Sequence, residues 1–198
     1  MAEAYVVLWT VDRCRWLQRV HDEGPIEVVF GGPHTSQPSI AAVRQNDVIY
    51  PVAVLDGALR LIAQLTVDTV LSPDRFVRER LGIELGPGEM WDTLFHDLQK
   101  SRPDIGHRIP ITCADHAAVG RGTNIRFDRS FPGDALASLR LGPKPGKEIP
   151  LSGVVDERVK NNFSLQGHVR RLSASSATLF AEQFDEARSQ RVVHHQRP

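Results

Sequence analysis

The amino-acid sequence predicts an α+β fold: a mainly antiparallel small β-barrel, or a strongly curved sheet, with peripheral helices. Apolar, β-prone runs are typical of buried strands, and Asp56-Gly57 between two such runs is typical of a hairpin turn. Apolar residues at helical spacing predict the helices. The predicted strands are residues 4–11, 26–30, 48–54, 59–70, 109–113, 124–127 and 162–165, and the predicted helices are residues 12–21, 73–81, 90–100, 132–141 and 173–188.

Local sequence places the ends of these elements. Gly24-Pro25 breaks the first helix, and a polar loop rich in turn residues follows at 31–39. Ser72 caps the second helix, with Pro and Asp favoured in its first turn, and Gly82 ends it. Residues 114–123 are predicted to be a loop. The predicted core comprises Val7, Leu8, Ile49, Val52, Leu61, Ala63, Leu65, Ile125 and Phe127.

Composition narrows the class of protein. A chain of 198 residues with 41% hydrophobic and 24% charged residues is typical of a globular fold with one large or two small domains. The net charge is zero, which excludes a uniformly basic nucleic-acid coat but not a local basic face. The chain shows no run of 18 apolar residues and no visible signal peptide, and it has only two cysteines, so we expect a cytoplasmic protein without a membrane partner.

A domain organisation follows from the pattern of breaks along the chain. Residues 1–141 are predicted to form the β-barrel domain, with a helical insertion at 72–105. The Gly-, Pro- and Lys-rich stretch 142–147 is the clearest boundary. Residues 142–188 are then a C-terminal extension whose helix packs on the same domain. Residues 189–198 are predicted to be a flexible tail.

Charge is distributed unevenly, and this distribution carries the first functional hypothesis. Residues 1–100 hold 9 basic and 14 acidic side chains, whereas residues 101–198 hold 15 basic and 10 acidic ones. Arginine outnumbers lysine 20 to 4, which favours anion recognition but is also typical of a GC-rich genome. The candidate phosphate-binding residues are Arg121, Asn124, Arg126 and Arg129.

Strand alternation refines this cluster. Asn124 and Arg126 would point outward with Asp128 placed to pair with Arg126, while Ile125 and Phe127 would point inward. A phosphate-tracking strand and a solvated sheet face with an ion pair both remain open. Because alternation separates Arg129 from Arg126, we expect Arg121 and Arg126 to matter most.

A second set of residues is suited to reading a nucleobase. Base recognition needs aromatic stacking together with hydrogen bonds to the base edge. The loop 34–39 supplies polar groups, and nearby aromatic residues supply rings, although a tryptophan in a buried strand is more often part of the core. The candidate base-binding residues are Trp9, Trp16, His34, Thr35, Ser36, Gln37 and Tyr50.

Motifs for catalysis or for a cofactor are missing from the sequence. Cys113 and His116 have a possible metal spacing but lack a second ligand pair, so no metal and no cofactor is predicted. A serine elbow and a phosphate-binding glycine loop are both absent. No catalytic residue is therefore assigned, and the sequence leans towards a protein that is not an enzyme.

The order of elements over residues 4–70 resembles the PUA-like superfamily, in particular its EVE and ASCH branches. The matching layout is a first strand, a helix bearing Trp16, a polar loop, then Asn46-Asp-Val-Ile-Tyr-Pro-Val and a strand. In that superfamily a Gly-Asp-hydrophobic strand begins a small β-barrel, and Asn46 stands where the glycine would be. The ASCH Gly-x-Lys-x-x-Glu signature is absent, so no catalytic residue is carried over. The resemblance implies a barrel cleft that accepts a modified or flipped base.

Three functions remain open on the sequence alone. The leading hypothesis is a nucleic-acid-binding module, for DNA or RNA, that recognises a base in a cleft while an arginine-rich face contacts phosphates. The alternatives are a small hydrolase acting on a modified nucleoside or another small polar substrate, with His34 or His116 as its base, and a protein-interaction domain without catalysis. The oligomeric state is not predicted.

Overall fold

A computed structural model describes residues 2–31, 39–84, 116–166 and 169–194, with side chains described up to residue 185. These residues form an α+β fold with a large, mostly antiparallel sheet and three helices. The predicted strand at 109–113 and the predicted helix at 90–100 lie outside the described residues, as does most of the polar loop. No helix in the described ranges is both long enough and apolar enough to cross a membrane.

Up to residue 81 the elements follow one another in the order that the sequence predicts, with one predicted strand divided in two, and the C-terminal helix also lies where it is expected. The strands are β1 (Ala4–Leu8), β2 (Val28–Gly31), β3 (Val48–Leu55), β4 (Ala58–Leu61), β5 (Leu65–Leu71), β6 (His116–Gly122), β7 (Arg140–Gly142), β8 (Ile149–Pro150), β9 (Val154–Val155), β10 (Arg158–Val159) and β11 (Arg170–Leu172). The helices are α1 (Val11–Arg19), α2 (Pro73–Leu81) and α3 (Ala174–His194).

The main sheet has the strand order β2-β6-β5-β3-β1-β11-β7-β8, with β4 also paired to β3. Only β1 and β3 run parallel among these pairs. Among the described residues β2 and β8 end the order without pairing to each other, so the described sheet is open. The mainly antiparallel sheet is confirmed, and its closure into a barrel stays a prediction.

The hairpin between β3 and β4 is confirmed. Asp56 and Gly57 both have positive φ, at 52° and 77°, as a tight turn of this kind requires. The strand that returns from it is not continuous, however. Leu61 pairs with Val52, but Leu65 pairs with Ile49, so one extra residue is inserted between β4 and β5. The prediction of one unbroken strand over 59–70 was therefore wrong.

The prediction of a loop at 114–123 was also wrong, because residues 116–122 form β6. The two glycines in this stretch serve close packing rather than a turn. A side chain at Gly120 would collide with the carbonyl oxygen of Thr66, and one at Gly122 would collide with Ile26. Residues 124–127, predicted to be a strand, make only an isolated bridge between Asn124 and Pro25.

Two further elements were mispredicted after β6. Residues 132–141 hold a short 3₁₀ turn, Leu136–Ser138, where a helix was expected, and β7 begins at Arg140. Residues 162–165 hold a 3₁₀ turn where a strand was expected. The basic stretch 142–147 joins β7 to β8 in a hairpin, and β7 also pairs with β11. The division of the chain at residue 141 stays a prediction.

The helix ends follow the predicted capping in part: Ser72 lies at the N-cap position of α2, but its side chain makes no capping hydrogen bond there. The side chain of Ser173 accepts a hydrogen bond from the backbone N–H of Ser176, which caps α3. Gly82 takes a left-handed conformation, with φ at 65°, and ends α2. The backbone of α3 continues to His194, past its predicted end near residue 188.

Each helix covers its own core. The α1 core, which includes Leu17, packs against one face of β1 and β3. The α3 core, which includes Phe180, lies on the opposite face of those strands. The α2 core, which includes Phe76, covers β2 and β6. The predicted core residues are buried, apart from Leu8 and Phe127, which are half-buried. Burial of large apolar side chains in these three separate cores holds the helices to the sheet.

Candidate functional site

A cleft of about 470 Å³ lies between the end of α1 and the segment that follows β6. Its volume falls within the range of small-ligand sites, roughly 300–1,000 Å³. We call its buried and half-buried apolar residues, Leu17, Ile125 and Phe127, the floor, and its more exposed polar residues the rim. The lining residues are Leu17, Gln18, His21, Asp22, Glu23, Asn124, Ile125, Arg126, Phe127 and Asp128.

The first wall of the cleft is the C-terminal end of α1 and the residues that follow it. The backbone N–H of Val20 still donates to Trp16, but His21 turns into a left-handed conformation with φ at 52°. The next residue, Asp22, then donates from its N–H back to the carbonyl of Leu17. Its Oδ1 accepts from the N–H of Gly24 at 3.2 Å, so a buried carboxylate is fixed at the edge of the cleft.

The second wall is the segment 124–128, held by backbone hydrogen bonds on both sides. Ile125 donates to the carbonyl of Gly24 at 3.4 Å, and Arg126 donates to that of Ile62 at 2.9 Å. These bonds tie the segment both to the end of α1 and to the break between β4 and β5. Ile125 is buried while Asn124 is exposed, as the predicted alternation requires.

Arg126 and Asp128 form the predicted pair at the rim. The Nε of Arg126 donates to Oδ1 of Asp128 at 2.9 Å, and Nη2 donates to Oδ2, so the contact is bidentate. The hydrogen bond from Arg126 lowers the pKa of the Asp128 carboxyl, and the same bond raises the pKa of Arg126. The arginine is therefore held charged in a fixed direction.

The other arginines of the predicted cluster lie elsewhere. Arg121 projects from β6 with its side chain 85% exposed, and its Nη2 lies 3.5 Å from Oδ1 of Asp68. Arg129 is half-buried and its guanidinium lies 4.4 Å from the ring centroid of Phe184 on α3. Of the four candidate phosphate-binding residues, Asn124 and Arg126 line the cleft and the other two do not.

The candidate base-binding residues do not come together at this cleft. Trp9 is buried in the α1 core, and Trp16 is half-buried against the same core. Tyr50 lies on the other face of the sheet, with its ring centroid 5.1 Å from that of Phe180, so it does not share a site with Trp9. His34, Thr35, Ser36 and Gln37 lie outside the described residues.

Sequence reasoning missed the α1 half of the cleft. Four polar residues of the cleft lie at the end of this helix: Gln18, His21, Asp22 and Glu23. The helix-breaking pair Gly24-Pro25 that follows them is visible in the sequence. The sequence does not show that this end lies against Asn124, because the bridge between Pro25 and Asn124 joins residues far apart in the chain. The polar run just before the breaker was the available clue.

The charges and hydrogen-bonding groups of the cleft suit a neutral, polar ligand. Three carboxylates, from Asp22, Glu23 and Asp128, face one arginine and one histidine, so a free anion is not favoured inside. The amides of Gln18 and Asn124 can each donate and accept hydrogen bonds. Within the described ranges no group of three or more His, Cys, Asp or Glu side chains is arranged to hold a metal ion.

Comparisons with known proteins add little to this geometry. No family model matches the chain, and no curated protein matches it in sequence. Among solved structures, ASCH from Zymomonas mobilis matches 91% of this chain and 94% of its own at 10% identity, with a TM-score of 0.36. A mutant ZmASCH protein from the same organism matches at 11% identity with the same TM-score, covering 91% of this chain and 97% of its own. Both proteins are named ASCH, one of the branches that the sequence resembles. The structural likeness is too low for any of their properties to be carried over to this chain.

Proposed function

We propose that this protein binds nucleic acid, taking one unpaired or extruded base into the cleft between α1 and residues 124–128. The observation that carries the proposal is the composition of that cleft. Its floor combines the ring of Phe127 with the apolar side chains of Leu17 and Ile125, and its rim carries amides and carboxylates. A stacking ring together with groups that bond to a base edge is the combination that base recognition needs.

The charges in the cleft indicate which part of the nucleotide enters it. Carboxylates accept hydrogen bonds from the exocyclic amino groups of bases, and they repel phosphate. The base therefore enters, and the phosphates of the flanking backbone stay outside. Arg126 at the rim and Arg121 at the end of β6 are the arginines proposed to contact those phosphates.

The proposal is tested by fluorescence anisotropy with labelled short single strands and duplexes of DNA and RNA, over about 50–200 mM salt. We expect saturable binding that favours single strands. Arg121→Ala and Arg126→Ala should each weaken binding similarly for all sequences and reduce the salt slope by about 1. Gln18→Ala and Asn124→Ala, both at exposed positions, should instead change the preference among bases.

A matched control is available on α2. Arg75 is an exposed arginine that forms an ion pair with Glu79 at 2.8 Å. Like Arg126 it is paired with a carboxylate of its own element, but its helix does not line the cleft. Arg75→Ala should leave affinity and salt slope unchanged. Full affinity and an unchanged salt slope in a folded Arg121→Ala/Arg126→Ala double variant would refute the proposed interface.

A further inference from the structure

We propose that the cleft between α1 and residues 124–128 selects guanine among the bases, through the carboxylate of Glu23 at its rim. This selectivity rests on the proposed function, because it names the base that enters the cleft. It goes beyond that function by naming the side chain that distinguishes one base from another.

Two of the three carboxylates in the cleft are already bonded within the chain. Both oxygens of Asp128 accept hydrogen bonds from Arg126. Asp22 is buried, and its Oδ1 accepts from the N–H of Gly24. These two side chains hold the walls of the cleft in place, so the third carboxylate is the one best placed to meet a ligand.

That third carboxylate belongs to Glu23. The residue is exposed, and its side chain makes no hydrogen bond and no ion pair within the residues that the structure describes. The backbone on both sides of it is fixed, because the N–H of Asp22 donates to the carbonyl of Leu17 at 3.0 Å and the N–H of Gly24 donates to the Asp22 side chain. A well-placed backbone therefore presents two acceptor oxygens at the rim of the cleft.

A donor faces this carboxylate from the other wall. The pKa of Arg126 is raised chiefly by its hydrogen bond to Asp128, and the charge of Glu23 adds to that rise. The Nε and Nη2 atoms of Arg126 donate to Asp128, which leaves Nη1 as the nitrogen with donors for a ligand. The two walls thus present acceptors and a donor to the same cleft.

Guanine is the base whose edge matches acceptors beside a donor. Its N1–H and its 2-amino group are adjacent donors, so one carboxylate can accept from both at once. Its O6 and N7 are acceptors that a guanidinium recognises. Uracil and thymine place a single N–H between two carbonyl oxygens, which a carboxylate repels. Adenine and cytosine offer one amino group beside an acceptor nitrogen, so they can use only one oxygen of the carboxylate.

The test measures the affinity of the full-length protein for labelled single DNA strands by fluorescence anisotropy. The strands are short runs of thymine that differ only in one central base: guanine, hypoxanthine, adenine, cytosine or thymine. Hypoxanthine is guanine without the 2-amino group, so it removes one of the two donors and nothing else. We expect the guanine strand to bind at least about fivefold more tightly than the hypoxanthine strand or the all-thymine strand.

The matched variants are Glu23→Gln and Glu182→Gln. Glu23→Gln keeps the size of the side chain but replaces one acceptor oxygen with a donor, so we expect the preference for guanine over hypoxanthine and thymine to be lost. Glu182 is an exposed glutamate on α3 that does not line the cleft. Its replacement removes the same charge from the protein and should leave the order of affinities unchanged. Both positions are exposed, so both variants are expected to fold.

The selectivity and the proposed function fail in different ways. If the strands bind saturably but with equal affinity, or if folded Glu23→Gln keeps the preference for guanine, the selectivity is overturned and the proposed function stands. A wild-type preference for a base other than guanine would likewise overturn the selectivity alone. If no strand binds saturably, the proposed function falls and the selectivity falls with it.

Discussion

Two arginines in this protein make the same kind of bond in very different surroundings. Arg171, on β11, forms an ion pair with Glu3 at 3.1 Å and a second with Glu148, and its side chain is only 18% exposed. Arg126, at the rim of the cleft, has a side chain that is 33% exposed, and it forms its bidentate pair with Asp128, whose side chain is 64% exposed. The first arginine joins β11 to the residues beside β1 and β8, whereas the second joins two residues of one segment.

The difference indicates separate roles for the two pairs. A desolvated pair that links distant parts of a sheet is costly to break, because one partner is left charged and buried. An exposed pair contributes little to stability, so its arginine can bind a phosphate at small cost to the fold. The β1–β11–β8 junction is therefore expected to contribute more to stability than the end of α1, where the proposed base-binding cleft lies.

The largest effect is expected from Arg171→Ala. The change leaves Glu148, which is 13% exposed, without its partner, and we expect the free energy of unfolding to fall by about 3 kcal/mol. Urea denaturation measures this value. Arg15→Ala, at an exposed position, serves as the control and should stay within about 0.5 kcal/mol. A loss below about 1 kcal/mol for Arg171→Ala would show that the junction is not a stabilising one.

A smaller effect is expected from acidification. The hydrogen bond from Tyr5 and the contact with Arg171 lower the pKa of Glu3 below 4.5. Its contribution is thus present above the ordinary pKa and is lost as the pH falls through the lowered value. We expect Glu3→Gln to lose less stability than the wild type between neutral pH and about pH 3, by about 1 kcal/mol or less. Equal losses in both proteins would contradict this assignment.

The smallest effect on stability is expected at the rim. Asp128→Asn removes the carboxylate that orients Arg126 but changes the free energy of unfolding by no more than about 0.5 kcal/mol. The guanidinium is then less well oriented but no longer shared with a carboxylate. The salt slope of oligonucleotide binding should stay the same, because the arginine remains. Unfolding of Asp128→Asn at room temperature would show instead that Asp128 is important for stability.

The sequence predicts well those features that depend on neighbouring residues. The hairpin at Asp56-Gly57, the end of α2 at Gly82 and the pairing of Arg126 with Asp128 all follow from local spacing. Each depends on turn conformation, capping or strand alternation within a few residues.

The features that were missed depend on contacts between distant parts of the chain. In the sequence Gly120 is typical of a turn, whereas in the structure it is a strand residue packed closely against the backbone of Thr66. Tyr50 looks like a candidate for base stacking until its pairing with Val6 turns it towards Phe180. The cleft itself exists because residues near Pro25 meet Asn124, a contact that no local pattern shows.

The most direct test of base binding at the cleft is photo-cross-linking with a short single strand that carries an iodinated pyrimidine, followed by mass spectrometry of the cross-linked peptides. Because Phe127 lines the cleft, we expect cross-links within residues 124–128, together with the end of α1. These cross-links should be lost when an unlabelled strand competes. Cross-links that fall only on other surfaces, with none at the cleft, would contradict the proposed site.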